Sequence, residues 1–176
     1  MGQSNTKHGV KKMNIFYLHR DPVVAAQMQC DKHVVKMILE SAQMLSTAHR
    51  VLDGDDYANS RGIYKLAHKN HPSTRWVRSH HKHYNWLWKH MIALMEEYTH
   101  RYDKVHETER LNDPLSISPV NINFSDHFLD PPQCMPDQYK NKDTVQAYRD
   151  YYIGEKSSFA KWNKGSKIPE WYKKGY

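Results

Sequence analysis

The chain has 176 residues, enough for one domain with a buried core, and a mean hydropathy of −0.91 with no run near the ~18 apolar residues of a spanning helix excludes a membrane protein of that kind. A net charge of +7, a pI near 9.3 and 13 histidines favour a polyanionic partner, DNA or nucleotide. Two cysteines, Cys30 and Cys134, without a CxxC pair, read as free thiols in a reducing cytoplasm rather than a disulfide or zinc set.

Residues 1–12, MGQSNTKHGVKK, are polar and basic with no apolar stretch, and read as a disordered leader or tag remnant before Met13. Residues 13–176 read as a single helical domain. NIFYL (14–18) is β-prone, suited to an edge strand or an extended arm. Asp21-Pro22 is a helix start, with a side-chain acceptor followed by proline at the first helical position. A short helix over 23–29 then leads into a long one that Asp31 is placed to cap. Val34, Ile38, Ala42 and Leu45 form its apolar line, widened by Val35 and Leu39. Asp53-Gly54 ends it.

Residues 53–62 read as a polar loop and 63–70 as one or two helical turns. His71-Pro72 opens a strongly helical stretch to about residue 109, with Leu87, Met91, Leu94, Tyr98, Tyr102 and Val105 at helical spacing. An interruption is expected near His80-His81. Residues 112–141 hold five prolines and no period, the pattern of an ordered wrapping loop. Asp143-Thr144 starts a last helix carrying Val145, Tyr148, Tyr152, Phe159 and Trp162, stopped by Gly165. Strand signals are nearly absent, so the expected fold is an all-α compact helical bundle with long ordered loops.

One helix poses the functional question. In CDKHVVKMILESAQMLSTAHR (30–50), His33, Lys36, Glu40, Gln43 and Thr47 recur at three and four residues, a polar stripe on an apolar rod. It is either a solvated face or the lining of a site. His33 and Glu40 stand about 10 Å apart along the axis, suited to touching different parts of one ligand. A carboxyl enclosed there needs partners or a raised pKa.

In HPSTRWVRSHHKHYNWLWKH (71–90), Arg75, Arg78, Lys82 and Lys89 interleave with Trp76, Tyr84, Trp86 and Trp88. Cations bind phosphates and flat rings stack on unpaired bases. Arg75, Arg78 and Tyr84 are therefore candidate nucleic-acid contacts, as is Arg50. MPDQYK adds Tyr139 and Lys140, and GEKSSFAKW (154–162) again mixes rings with lysine. His80, His81 and His83 do not share one helical face, so no metal is expected. No glycine-rich phosphate loop calls for a cofactor.

DKHVVKMILE resembles the helix of the small phage pyrimidine-dimer DNA glycosylases that carries Asp-x-His and, seven residues after the His, a catalytic Glu. Asp31, His33 and Glu40 fall on those positions. IPEWYKKGY is similar to that family's DNA-contacting tail, which maps onto Pro169, Trp171, Tyr172 and Lys173. HYNWLWKHMIALMEEYTHRY resembles the family's central helix, and residues 13–176 as a whole also resemble a protein group of marine tailed phages.

The resemblance implies an all-α fold, the cytoplasm of an infected bacterial host, and base excision from damaged or modified DNA, with or without strand cleavage. Glu40 would be the catalytic carboxylate and His33 would orient the substrate, with Lys36 beside them. In the family an α-amine attacks C1′. A chain starting at Met13 and losing it would offer Asn14, and Lys32 or Lys36 are the side-chain alternatives. The other function considered is a nucleotide-binding protein of the same fold that excises no base, for example one that holds or processes a host immune signal nucleotide.

Overall fold

The computed structural model describes residues 13–174; the leader expected over 1–12 lies outside the described residues. Among them are eight α-helices, two short 3-10 turns at Glu107–Leu111 and Asp137–Tyr139, and no strand. The all-α expectation holds.

Local sequence explains most boundaries. In α1 (Pro22–Met28), Asp21 Oδ1 accepts from the amides of Val23 (2.8 Å) and Val24 (3.1 Å), filling two donors that a helix start leaves open. Helix α2 (Asp31–Asp53) ends where Gly54 takes φ +79°, a conformation that favours glycine. The chain then turns into α3 (Asp55–Ser60), where a loop was expected. Residues 63–68, expected to be helical, have no regular structure. His71 caps α4 (Pro72–Ser79) by accepting from Ser73 N at 3.1 Å. His80 is extended (φ −150°), producing the expected interruption before α5 (His81–Tyr102).

After α6 (Asn112–Ser116) a long loop leads to α7 (Thr144–Glu155) and α8 (Glu170–Lys174). Helix α7 ends ten residues before Gly165, so Phe159 and Trp162 pack from the irregular segment that follows it.

Helices α2 and α5 form the central pair, α1 packs on α5, and α4 packs on both. Val34, Ile38, Ala42 and Leu45 of α2 share a core with Leu87, Met91 and Leu94 of α5, all fully buried. Burying each large aliphatic chain contributes about 1.5–3 kcal/mol. Leu39 does not widen this line: it is 38% exposed. Helix α2 is apolar around much of its girth, so hydrophobicity alone leaves the inward face ambiguous.

The 14–18 segment has no regular structure and pairs with no strand among the described residues. Its place is set by polar anchors. Asn14 Oδ1 accepts from the amides of Ile15 (2.8 Å) and Phe16 (3.0 Å), while its Nδ2 donates to Cys134 O. Fully buried His90 is neutral, its pKa lowered to about 4 by desolvation. Its Nδ1–H donates to Pro22 O, and Nε2 accepts from Gln29 Nε2, which also reaches Ile15 O.

Candidate functional site

Most of the polar stripe of α2 is enclosed. His33, Glu40 and Thr47 are 4%, 2% and 0% exposed, Gln43 is half-buried, and Lys36 stands in solvent. At 3.6 residues per turn these five fall within an arc of about 80°. Thr47 Oγ1 exchanges hydrogen bonds with Ala67 N and O at 3.0 and 3.2 Å, so this edge looks onto the segment leading into α4. Gln43 Oε1, and Thr74 Oγ1 on α4, are buried with no hydrogen-bond partner among the described residues. Buried polar atoms of that kind fit a place where a polar ligand or water completes the set.

His33 sits in an aromatic box. Its ring stacks on Phe16 at 4.2 Å and meets the edges of Tyr152 (5.2 Å) and Phe159 (5.4 Å). Desolvation first, then the charges of Lys156, Lys36 and Lys32, push its pKa down to about 3. The imidazole is therefore neutral. Burial raises the Tyr152 phenol well above its ordinary range, so it stays protonated, and its hydroxyl is hydrogen-bonded to Nδ1 at 2.6 Å. Phe16 holds a left-handed φ of +57°, rare for a bulky residue. The His33 stack and the Asn14 bonds keep it there.

Lysines crowd the outer side of this box. Lys156 Nζ lies 4.5 Å from the Tyr151 ring and 5.9 Å from Phe16, and Lys32 Nζ lies 4.8 Å from Phe159. Asp31, whose side chain was expected to cap α2, is its first residue and a tie instead; Cys30 is the cap and supplies no side-chain bond. Asp31 Oδ1 accepts from Arg101 Nη1 (3.2 Å) and Oδ2 from Asn163 N (2.8 Å), and its backbone N–H donates to Lys161 O. Buried Arg101 also reaches Glu97, Ser166 and the carbonyls of Gln29 and Gln27.

A second hollow, of about 260 Å³, opens beside the 13–16 arm. Met13, His71, Cys134, Met135, Pro136 and Tyr151 line it. Tyr139, on the 3-10 turn, packs behind Tyr151, its ring 5.6 Å from that of Tyr151 and against Gly154, where a Cβ would collide with it. Lys140 is exposed and pairs with Asp137 at 2.8 Å.

The remaining sequence candidates divide. Arg75 is exposed on α4. Arg78 is half-buried, donates to Lys69 O and has its pKa lowered by burial and by Arg75. Trp171 packs on Met28 and Tyr152, Tyr172 is 3% exposed against Trp162, and Lys173 is exposed beside Glu170.

Two candidates stand elsewhere. Arg50 is spent on the α2–α3 corner, donating to Tyr64 O, Ile63 O, Asp55 and Asn59. Tyr84 is fully buried, with its hydroxyl shared between His49 and Leu115 O, so its ring has no face for a base. Sequence reasoning placed Tyr152 only on the apolar face of the last helix and passed over Lys161 and Lys164; the cation–ring mixture of 154–162 was a faint signal for Lys161 alone.

A family model described as pyrimidine dimer DNA glycosylase matches residues 13–110, more than half the chain. The match takes in the 13–18 arm, α2, α4 and α5, hence His33, Lys36 and Glu40. No curated protein and no solved structure matches.

Proposed function

We propose, from the premise that this chain belongs to the pyrimidine dimer DNA glycosylase family, that it excises a base from damaged DNA with Glu40 as the catalytic carboxylate. The observation that carries this reading is Glu40 itself, a carboxyl 2% exposed in mid-helix, one turn from exposed Lys36, within the matched residues. An enclosed carboxylate supports the positive charge that develops on C1′ as the glycosidic bond breaks, and it takes the proton of the incoming nucleophile. The base leaves with the bonding electron pair. Lys36, Arg75 and Arg78 supply cations for the flanking phosphates. Tyr139, Lys140, Trp171, Tyr172 and Lys173 are the corresponding candidates outside the matched stretch.

His33 serves as a positioning residue in this account. Neutral and enclosed, it fixes Phe16 and with it the 13–18 arm. The nucleophile is either water or an amine. A chain that begins at Asn14 would bring its α-amine to the edge of the hollow that Met13 lines, and attack by that amine would leave a Schiff base.

The test is incubation with ultraviolet-irradiated and undamaged duplex, reading base release, strand cleavage and borohydride trapping. Damage-dependent base release supports the reading; trapping assigns the amine route. Binding of a free nucleotide with no base release from any damaged duplex would replace it with the nucleotide-holding function.

A further inference from the structure

The other side of the α2 start carries a groove of about 600 Å³ lined by Asp31, Lys32, Val35, Lys36, Tyr102, Phe159, Lys161, Asn163 and Lys164. Four of its lining residues are lysines, on two walls. Lys32 and Lys36 come from α2, one turn apart, and Lys161 and Lys164 come from the segment after α7. All four are exposed. Among the described residues Asp31 is the one carboxylate in the lining, and Arg101 and Asn163 N already occupy its oxygens. The groove's cations therefore have no internal counter-charge.

Two further features make the groove a built one. Its second wall is fastened: Asp31 N donates to Lys161 O, and Trp162 is buried with its indole N–H on Met28 O. Its rings are occupied by cations, with Lys32 over Phe159 and Lys164 over Tyr102 at 5.0 Å, so they hold ammonium groups rather than offer open faces to a base. That arrangement suits phosphates, and a hollow of this size open to solvent is far larger than one phosphate needs.

We infer that this groove seats the sugar–phosphate backbone of a DNA strand running off the Glu40 edge, held by Lys32 and Lys36 on one wall and Lys161 and Lys164 on the other. Lys36 belongs to both places, since it lies one turn before Glu40 on the same helix. This rests on the reading of the chain as a DNA-acting enzyme and extends it to a second anchoring surface, half of which lies beyond the matched residues 13–110.

The test is binding of an undamaged fluorescent duplex across a salt series, which needs no base excision and so stands or falls separately from catalysis. Removing one lysine–phosphate pairing lowers the slope of log K against log salt by roughly 0.9. Lys161→Ala/Lys164→Ala is expected to bind several-fold more weakly with a slope smaller by about 1.8, and Lys161→Arg/Lys164→Arg to keep the parent slope. A double alanine variant with the parent's circular dichroism and an unchanged slope would overturn the inference. So would loss of affinity for a 5′-mononucleotide alone while duplex binding stays intact, since the groove would then be a nucleotide site.

Discussion

The Tyr152 hydroxyl lies 2.6 Å from His33 Nδ1, joining α7 to the polar edge of α2 across 119 residues of sequence. The bond matters because a family-matched histidine is held by a residue outside the matched stretch. Tyr152→Phe leaves that imidazole nitrogen buried and unpaired, at a cost of about 1–3 kcal/mol. Chemical denaturation should show that loss, and base release should fall along with it as Phe16 and the 13–18 arm loosen. A variant as stable as the parent would mean the bond does not hold the arm.

Arg101 ties α1, α2, α5 and the segment around Asn163 together from a side chain with 0% exposure. Arg101→Met strands the Asp31 and Glu97 carboxylates, and breaking a buried pair from one side costs about 3–5 kcal/mol. The expected result is a large drop in urea midpoint. Asp31→Asn should cost less, because the amide oxygen still accepts from Asn163 N.

Acid should destabilise the fold through its histidines. His33, His83 and His90 have pKa values lowered to about 3, 4 and 4, desolvation being the largest cause in each. Unfolded, each titrates near 6.5. Between those values the unfolded chain binds more protons than the folded one, so stability falls as pH falls. Urea midpoints should be level above about pH 7.5 and decline steadily from about 6.5 towards 4. Midpoints that rise on acidification would contradict this assignment of buried neutral rings.

Arg50 should behave as a structural residue. Arg50→Lys cannot reproduce the fork that meets Tyr64 O, Ile63 O, Asp55 and Asn59. A loss of about 1–3 kcal/mol with no change in the salt slope of DNA binding is expected. A reduced slope with unchanged stability would return Arg50 to the DNA surface.

Much of the fold was legible because its signals are local. Asp21-Pro22, Asp53-Gly54 and His71-Pro72 mark helix ends by capping chemistry, and each lies where the structure places a boundary. The end of α7 was not legible, since Phe159 and Trp162 continue the apolar pattern after the hydrogen-bonded helix has stopped. Leu39 and Glu40 show the deeper limit. Hydropathy puts the leucine inside and the glutamate outside, whereas the leucine is 38% exposed and the glutamate 2%. Tertiary packing reversed the pair, and no periodicity registers that. Tyr84 misled in the opposite direction: an aromatic amid cations looks like a stacking platform, but here its hydroxyl serves the core beside His49. The lysine groove was hidden because its walls lie more than a hundred residues apart in sequence.

The measurement that bears most directly on the central claim is single-turnover base release from ultraviolet-irradiated duplex by Glu40→Gln. The amide keeps the shape of the side chain and removes its charge and basicity. The account predicts a folded variant that binds duplex as the parent does and releases base at least ~100-fold more slowly. Release at the parent's rate would contradict it and take the catalytic role away from α2.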